Sequence, residues 1–280
     1  MNYAKIYDEI IKLNLLPDIA VDIATIISMS RPRILVHVEK IKYSRLKSLI
    51  QMLGLSIEAE RDLVKTKDES SNNFIFKEAE KNNEDATIVE LWVCLKGNEI
   101  DEYEIFENPG RALGYPKCCV KKYETIINFS SYYSEYIFSK KKNYWENNKL
   151  ASSFLDFSPF TDFFPCSLGC SESRIFIKSI LKISSLVLPK IIFSRIINIM
   201  KSPLIVNKEG MFIIKKWYKE SDEAIIAKFK DVEYKKLDQI FDYNSSHKED
   251  QIFMIPFYHL SNIKYLTLID SKNKKEKIIF

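Results

Sequence analysis

The sequence predicts an α+β protein built from three regions, because helix-like and strand-like patterns change along the chain. Residues 1–107 mix helix-spaced apolar positions with alternating strands, which predicts a mixed α/β region. Residues 108–201 are mostly helical in pattern and carry four of the five cysteines. Residues 202–280 contain short apolar runs separated by polar turns, as expected of antiparallel strands. We take these three regions as the predicted domains.

The first region shows both periodicities clearly. Residues 33–39 alternate apolar and polar side chains, which predicts a half-buried strand. Residues 86–95 form a nearly continuous apolar run, which predicts a strand buried on both faces. A helix is predicted between these strands, with Ser44 as its N-cap and Gly54 just beyond its end.

The other two regions add further helices and two hairpins. Helices are predicted over residues 116–129, 131–147 and 166–187, and another is predicted to begin at Pro189. The first hairpin is expected from strands 204–206 and 211–217, and the second from strands 263–269 and 277–280.

Charge and hydropathy argue against several classes of protein. The chain has 42 basic and 38 acidic residues without a concentrated basic stripe, so nucleic-acid binding is not favoured. The most apolar stretch, residues 181–200, contains two lysines, an arginine and a proline, which argues against a membrane-spanning helix. The N-terminus lacks the pattern of a secretory signal, so we expect a cytoplasmic protein. In that compartment, clustered cysteines favour metal binding or redox chemistry over structural disulfides.

Four of the five cysteines fall in two close pairs. Cys118 and Cys119 are adjacent, and Cys166 and Cys170 are separated by three residues, a clustering that random placement would rarely produce. A proline lies just before each pair, and proline is common in the first turn of a helix. We therefore expect both pairs at helix N-termini, where backbone N–H groups and the helix dipole stabilise a negatively charged sulfur.

The spacing within each pair bears on whether they share a site. Residues four apart lie on one face of a helix, so Cys166 and Cys170 are expected to face one metal ion or cluster. Adjacent residues point about 100° apart on a regular helix. Cys118 and Cys119 can therefore reach one centre together only if their turn is irregular, and otherwise one of them is a resolving thiol. Cys94 lies in an apolar strand and is predicted to be a core residue.

The segments that carry these pairs resemble a known signature. Gly114 to Cys119 is GYPKCC, and Pro165 to Cys170 is PCSLGC. Together they resemble a prokaryotic family of domains of unknown function, over about residues 108–183. The resemblance implies that the four cysteines act as a unit, and it implies no activity. A looser resemblance, to the cysteine-rich domains of heterodisulfide-reductase-type proteins, implies an iron–sulfur cluster.

The leading hypothesis is a cytoplasmic metal-binding protein with an iron–sulfur or other thiolate–metal centre. The predicted metal ligands are Cys118, Cys119, Cys166 and Cys170. The centre would suit redox or sulfur-related chemistry with a small molecule or a redox partner protein, and whether the chain is an enzyme is left open. Arg111 and Tyr115 lie just before the first pair and are predicted to bind the substrate.

Two other hypotheses stay open. Four thiolates also satisfy a closed zinc site, as in a zinc-stabilised binding module without catalysis. A metal-free thiol–disulfide enzyme is the third hypothesis, in which one cysteine attacks and another resolves the mixed disulfide. With only three histidines in the chain, a Cys–His nucleophile is less favoured than any of these.

Overall fold

The structure is a computed structural model. It describes residues 3–67, 74–79, 87–125, 144–147, 163–202, 204–206, 210–214, 218–221, 224–228, 232–236, 253–255, 265–269 and 274–279. Contacts between Cα atoms divide the chain into two compact units, which are described separately. One unit comprises Met1–Val120 and Ser179–Pro189, and the other comprises Lys121–Lys178 and Lys190–Phe280. The predicted division at residues 107 and 201 stays a prediction.

The first unit combines helices with a four-stranded sheet. Its helices are α1 (Tyr3–Lys12), α2 (Pro17–Ile27), α3 (Lys40–Met52), α4 (Glu102–Glu107), α5 (Pro109–Ala112) and the start of α6 (Lys117–Glu124). Its strands are β1 (Arg33–Glu39), β2 (Leu55–Lys67), β3 (Phe74–Glu78) and β4 (Ile88–Leu95). The strand order is β1-β4-β2-β3, and every neighbouring pair is antiparallel.

Strand β4 is an interior strand of this sheet and is almost entirely buried. It pairs with β1 on one side and β2 on the other, and the six residues from Val89 to Cys94 are all buried. Helices α2 and α3 contact the sheet, so β4 lies in the core of the first unit. The buried strand predicted from the apolar run 86–95 is confirmed.

Helix α3 begins earlier than its sequence predicts. The predicted N-cap Ser44 is wrong, because the chain passes directly from β1 into the helix at Lys40, with the extended residue Glu39 as its N-cap. The N–H of Lys40 donates to the Thr87 carbonyl, which fixes this junction to the sheet. Gly54 does follow the helix, with a φ of +75° that suits glycine.

The second unit contains helices and two further sheets. Its helices are a short 3-10 helix (Trp145–Asn147), the first part of α7 (Ser171–Val187) and α8 (Lys190–Lys201). Its strands are β5 (Leu204–Val206), β6 (Gly210–Ile214), β7 (Tyr218–Lys219), β8 (Ala224–Lys228), β9 (Val232–Lys236), β10 (Phe253–Ile255), β11 (Tyr265–Ile269) and β12 (Lys275–Ile279). The limits of the two units fall inside helices α6 and α7.

These strands form sheets in the orders β10-β5-β6-β9 and β12-β11-β8-β7. Both predicted hairpins are present, as β5 with β6 and β11 with β12. The expectation of antiparallel strands holds for these pairs but not for β8 and β11, which pair in parallel. Strands β9 and β10 lie between them in the chain, and parallel neighbours need a long connection of this kind. Taken together, helices and sheets confirm the α+β class.

Part of the predicted helical pattern falls outside the described residues. This is the case for residues 126–129 and 131–143, while residues 145–147 form the 3-10 helix. Within the described part of the chain, none of the helices has the length and apolar character needed to cross a membrane.

Candidate metal centre

The two cysteine pairs come together in the structure. The Sγ atoms of Cys118, Cys119, Cys166 and Cys170 all lie within 4.8 Å of one another. None of these four cysteines forms a disulfide bond within the described residues. Cys119 and Cys170 are buried, and Cys118 and Cys166 are partly exposed. The predicted meeting of two segments distant in sequence is confirmed, and the group is compatible with metal binding.

The first pair lies in the first turn of α6. The Pro116 carbonyl accepts hydrogen bonds from the N–H groups of both Cys119 (2.9 Å) and Val120 (3.0 Å). A carbonyl shared in this way tightens the first turn of a helix. The Sγ atoms of Cys118 and Cys119 are 3.8 Å apart, so adjacent residues present their sulfurs side by side. Both sulfurs thus reach the same group, and the expectation that this needs an irregular turn stays a prediction.

A glycine turn fixes the segment that leads into α6. Gly114 has a φ of +75°, and a Cβ added there would lie 2.5 Å from Cδ of Pro32. Glycine is therefore needed both for the backbone conformation and for the close approach. The next residue, Tyr115, packs against the core cluster that contains Trp92 and Leu113. The beginning of α6 is thereby tied to the core of the first unit.

The second pair lies mostly ahead of its helix. Helix α7 begins at Ser171, so the prediction of a helix from Cys166, with both cysteines on one helical face, is wrong. Cys166 precedes the helix and Cys170 is its N-cap: the Cys170 carbonyl accepts from the Arg174 N–H at 3.1 Å, and its Sγ accepts from the Ser173 N–H at 3.3 Å. A side chain that accepts this N–H fixes the helix start at the residue after it. Of this pair, only Cys170 therefore lies at a helix N-terminus.

The buried residue Asn147 holds the loop between these two cysteines. Its Nδ2 donates to the carbonyls of Leu168 (3.0 Å) and Cys170 (2.9 Å), with a longer contact of 3.4 Å to that of Ser167. Its Oδ1 accepts from the Ser173 hydroxyl at 2.9 Å. Nothing in the local sequence identifies Asn147, because its partners lie about twenty residues further along the chain.

Its neighbour Glu146 is also buried, with 2% of its surface exposed. Oε1 of Glu146 lies 3.1 Å from Nε of Arg174 and 3.6 Å from Nζ of Lys178. These ion pairs attach the 3-10 helix to the side of α7. Sequence reasoning missed both Glu146 and Asn147.

The segment that carries the four cysteines also matches a family model. Residues 84–192 match the model described as "Protein of unknown function (DUF483)". This segment is therefore similar to that family. The resemblance to an uncharacterised family is therefore confirmed, and the description assigns no activity. No curated protein and no solved structure matches the chain significantly.

The fifth cysteine, Cys94, has a different environment. Cys94 is fully buried in β4. Burial, together with the nearby carboxylate of Glu58, raises the pKa of the Cys94 thiol to about 12. Cys94 therefore stays a neutral thiol, as expected of a core residue.

The two residues predicted to bind a substrate differ in environment. Arg111 is exposed on α5, where its backbone N–H donates to the Asn108 side chain at 3.0 Å. The Tyr115 hydroxyl accepts from Nη2 of Arg31 at 3.4 Å, and that guanidinium is also paired with Asp22 at 3.0 Å. A role for Arg111 and Tyr115 in substrate binding stays a prediction.

Proposed function

We propose that this chain is a metal-binding protein whose four clustered cysteines hold one zinc ion, and that this centre stabilises the fold. The observation that supports the proposal is the convergence of four cysteine sulfurs within 4.8 Å. Thiolates select zinc and iron among the common metals, and four of them satisfy a structural zinc site.

The separations between the sulfurs favour a single ion. A tetrahedral ion with metal–sulfur bonds of about 2.3 Å holds its sulfurs about 3.8 Å apart. The Cys118 and Cys119 sulfurs already have this separation, at 3.8 Å. The widest separation, 4.8 Å, requires a closure of only about 1 Å to reach the tetrahedral value, within reach of side-chain rotation.

An iron–sulfur cluster with redox chemistry uses the same donors but a different geometry. In a cluster with four irons, each thiolate binds a different iron, so the cysteine sulfurs stand farther apart than around one ion. The compact group of sulfurs therefore supports a mononuclear centre over a cluster.

The local backbone suits the charge of such a centre. Four thiolates around Zn²⁺ carry a net charge of −2, which needs compensation where Cys119 and Cys170 are buried. The N-terminus of α6 and the Ser173 N–H directed at the Cys170 sulfur supply positive dipoles. Because four protein ligands leave no open coordination position, the proposed role is to stabilise the fold and not to activate a substrate.

Metal analysis of the full chain, purified without chelator, tests the proposal. We expect one zinc per chain, no visible colour, and a thiolate-to-cobalt absorption band after replacement by Co²⁺. Cys166→Ala and Cys170→Ala should lose the metal. Cys94→Ala removes a buried thiol outside the group and should keep it, which makes it the matched control.

Two other results would replace this proposal. Iron with acid-labile sulfide and a brown colour would identify a cluster and favour redox chemistry. Metal-free protein with four titratable thiols, forming a disulfide under mild oxidation, would identify a thiol–disulfide protein.

A further inference from the structure

We propose that Asn147 is a positioning residue of the cysteine centre, holding the loop from Cys166 to Cys170 in its metal-binding conformation before the ion arrives. This inference rests on the proposed function, since it concerns the same four sulfurs. Asn147 lies outside both cysteine motifs and is fully buried.

The side-chain amide of Asn147 provides both a donor and an acceptor, and its surroundings require both. Backbone carbonyls only accept hydrogen bonds, so the carbonyls of Leu168 and Cys170 must face the Nδ2 protons. The Ser173 hydroxyl then donates to Oδ1. An aspartate of the same shape would place an oxygen against those carbonyls, and an alanine would leave them without this donor in a buried site.

Asn147 acts on Cys170 by two routes. It binds the Cys170 carbonyl directly, at 2.9 Å. It also accepts from the hydroxyl of Ser173, whose backbone N–H donates to the Cys170 sulfur at 3.3 Å. Losing the amide would therefore free both the backbone of Cys170 and the group that orients its sulfur.

The residues just before Asn147 are held in place by further contacts. The Tyr144 N–H donates to the Leu168 carbonyl at 2.9 Å, so the residues before Asn147 also contact the cysteine loop. The Arg174 guanidinium lies 4.3 Å from the centre of the Tyr144 ring, and the Lys201 ammonium lies 4.8 Å from that of Trp145. A residue that orients metal ligands must itself be fixed in position, because otherwise the ligands can move away from the metal-binding geometry.

Glu146 provides the matched control. It is buried beside Asn147 and also joins the 3-10 helix to α7. Its carboxylate binds the side chains of Arg174 and Lys178, whereas the Asn147 amide binds the backbone of the cysteine loop. Glu146→Gln therefore weakens the same attachment without removing a hydrogen bond from the loop.

Zinc affinity of the full chain, measured by competition with a chromophoric chelator, tests the inference. Asn147→Ala and Asn147→Asp should bind zinc about 10- to 100-fold more weakly than the wild type, as outer-shell changes do, and should alter the Co²⁺ absorption spectrum. Glu146→Gln should lower the unfolding temperature of the metal-free protein but keep the wild-type affinity and spectrum. Should the Asn147 variants fail to fold, Ser173→Ala, which removes only the hydroxyl bond to Oδ1, should weaken zinc binding about fivefold.

The outcomes separate the two proposals. A wild type that binds no metal overturns the proposed function and this inference with it. A wild type that binds zinc with unchanged affinity in the Asn147 variants, or in Ser173→Ala where those do not fold, overturns the inference alone. Equal losses in Glu146→Gln and Asn147→Ala would show that general destabilisation is the cause, and would also overturn it.

Discussion

Acid should remove a specific contribution of Glu90 to stability. Glu90 lies on β4 with 7% of its surface exposed. Its carboxylate accepts from Nε2 of His37 (3.2 Å), from Nε of Arg61 (2.9 Å) and from Nε1 of Trp92 (3.3 Å), and a second Arg61 nitrogen also contacts it. Burial alone would raise the pKa of Glu90, but these hydrogen bonds and the charge of Arg61 outweigh it and lower the pKa to about 2.

The sign and size of the effect follow from this pKa. A carboxyl group whose pKa is lower in the folded state stabilises the fold above its ordinary pKa of 4.5, and that contribution is lost as the pH falls toward 2. At about 1.4 kcal/mol for each pH unit, the difference corresponds to about 3 kcal/mol. The Arg61 side chain is 29% exposed, and solvent screening there reduces our expectation to about 2–3 kcal/mol.

Urea unfolding of the wild type and Glu90→Gln between pH 7 and pH 2.5 measures this contribution. Glu90→Gln should be less stable by about 2–3 kcal/mol at pH 7, and the gap should narrow steadily below pH 4.5. Every sample contains excess chelator, so that the protein is metal-free at each pH and loss of metal in acid does not affect the measured stability. Glu107→Gln, at an exposed position of α4, is the control and should stay close to the wild type throughout. A gap that does not change with pH would refute the reasoning.

Three further predictions concern the turn, the core and the metal. Gly114→Ala should destabilise the protein by at least about 1–2 kcal/mol in thermal unfolding, because φ is +75° and the new Cβ would lie 2.5 Å from Pro32; an unchanged unfolding temperature would contradict this. In the folded, metal-free protein, Cys94 should resist a thiol reagent while Cys118 and Cys166 react, as peptide mass spectrometry would show. Chelation should lower the unfolding temperature and added zinc should restore it, whereas no change would argue against a stabilising metal.

Patterns of local origin were predictable from the sequence. Strand β4 follows from a nearly continuous apolar run, and the hairpins β5–β6 and β11–β12 follow from short apolar runs separated by polar residues in the sequence. The convergence of the cysteines was predictable in outline, because two close pairs of one reactive residue type rarely arise by chance.

Features that depend on tertiary contacts were not predictable. The start of α7 is set by the sulfur of Cys170, which caps the helix where serine or aspartate is more usual. The start of α3 at Lys40 depends on a hydrogen bond to Thr87, across the sheet. Asn147 is one polar residue in an aromatic and lysine-rich stretch, and its importance emerges only when its carbonyl partners are brought to it.

The place of β4 in the first sheet has a practical consequence for work on the matched segment. The DUF483 match spans residues 84–192 and includes β4, but both neighbours of that strand, β1 and β2, come from earlier in the chain. A fragment cut to the matched residues would contain the apolar strand β4 without β1 and β2. The backbone N–H and C=O groups on both edges of β4 would then be unpaired, which favours aggregation. A fragment prepared for experiments should therefore include residues 33–67, so that β4 keeps both of its neighbouring strands.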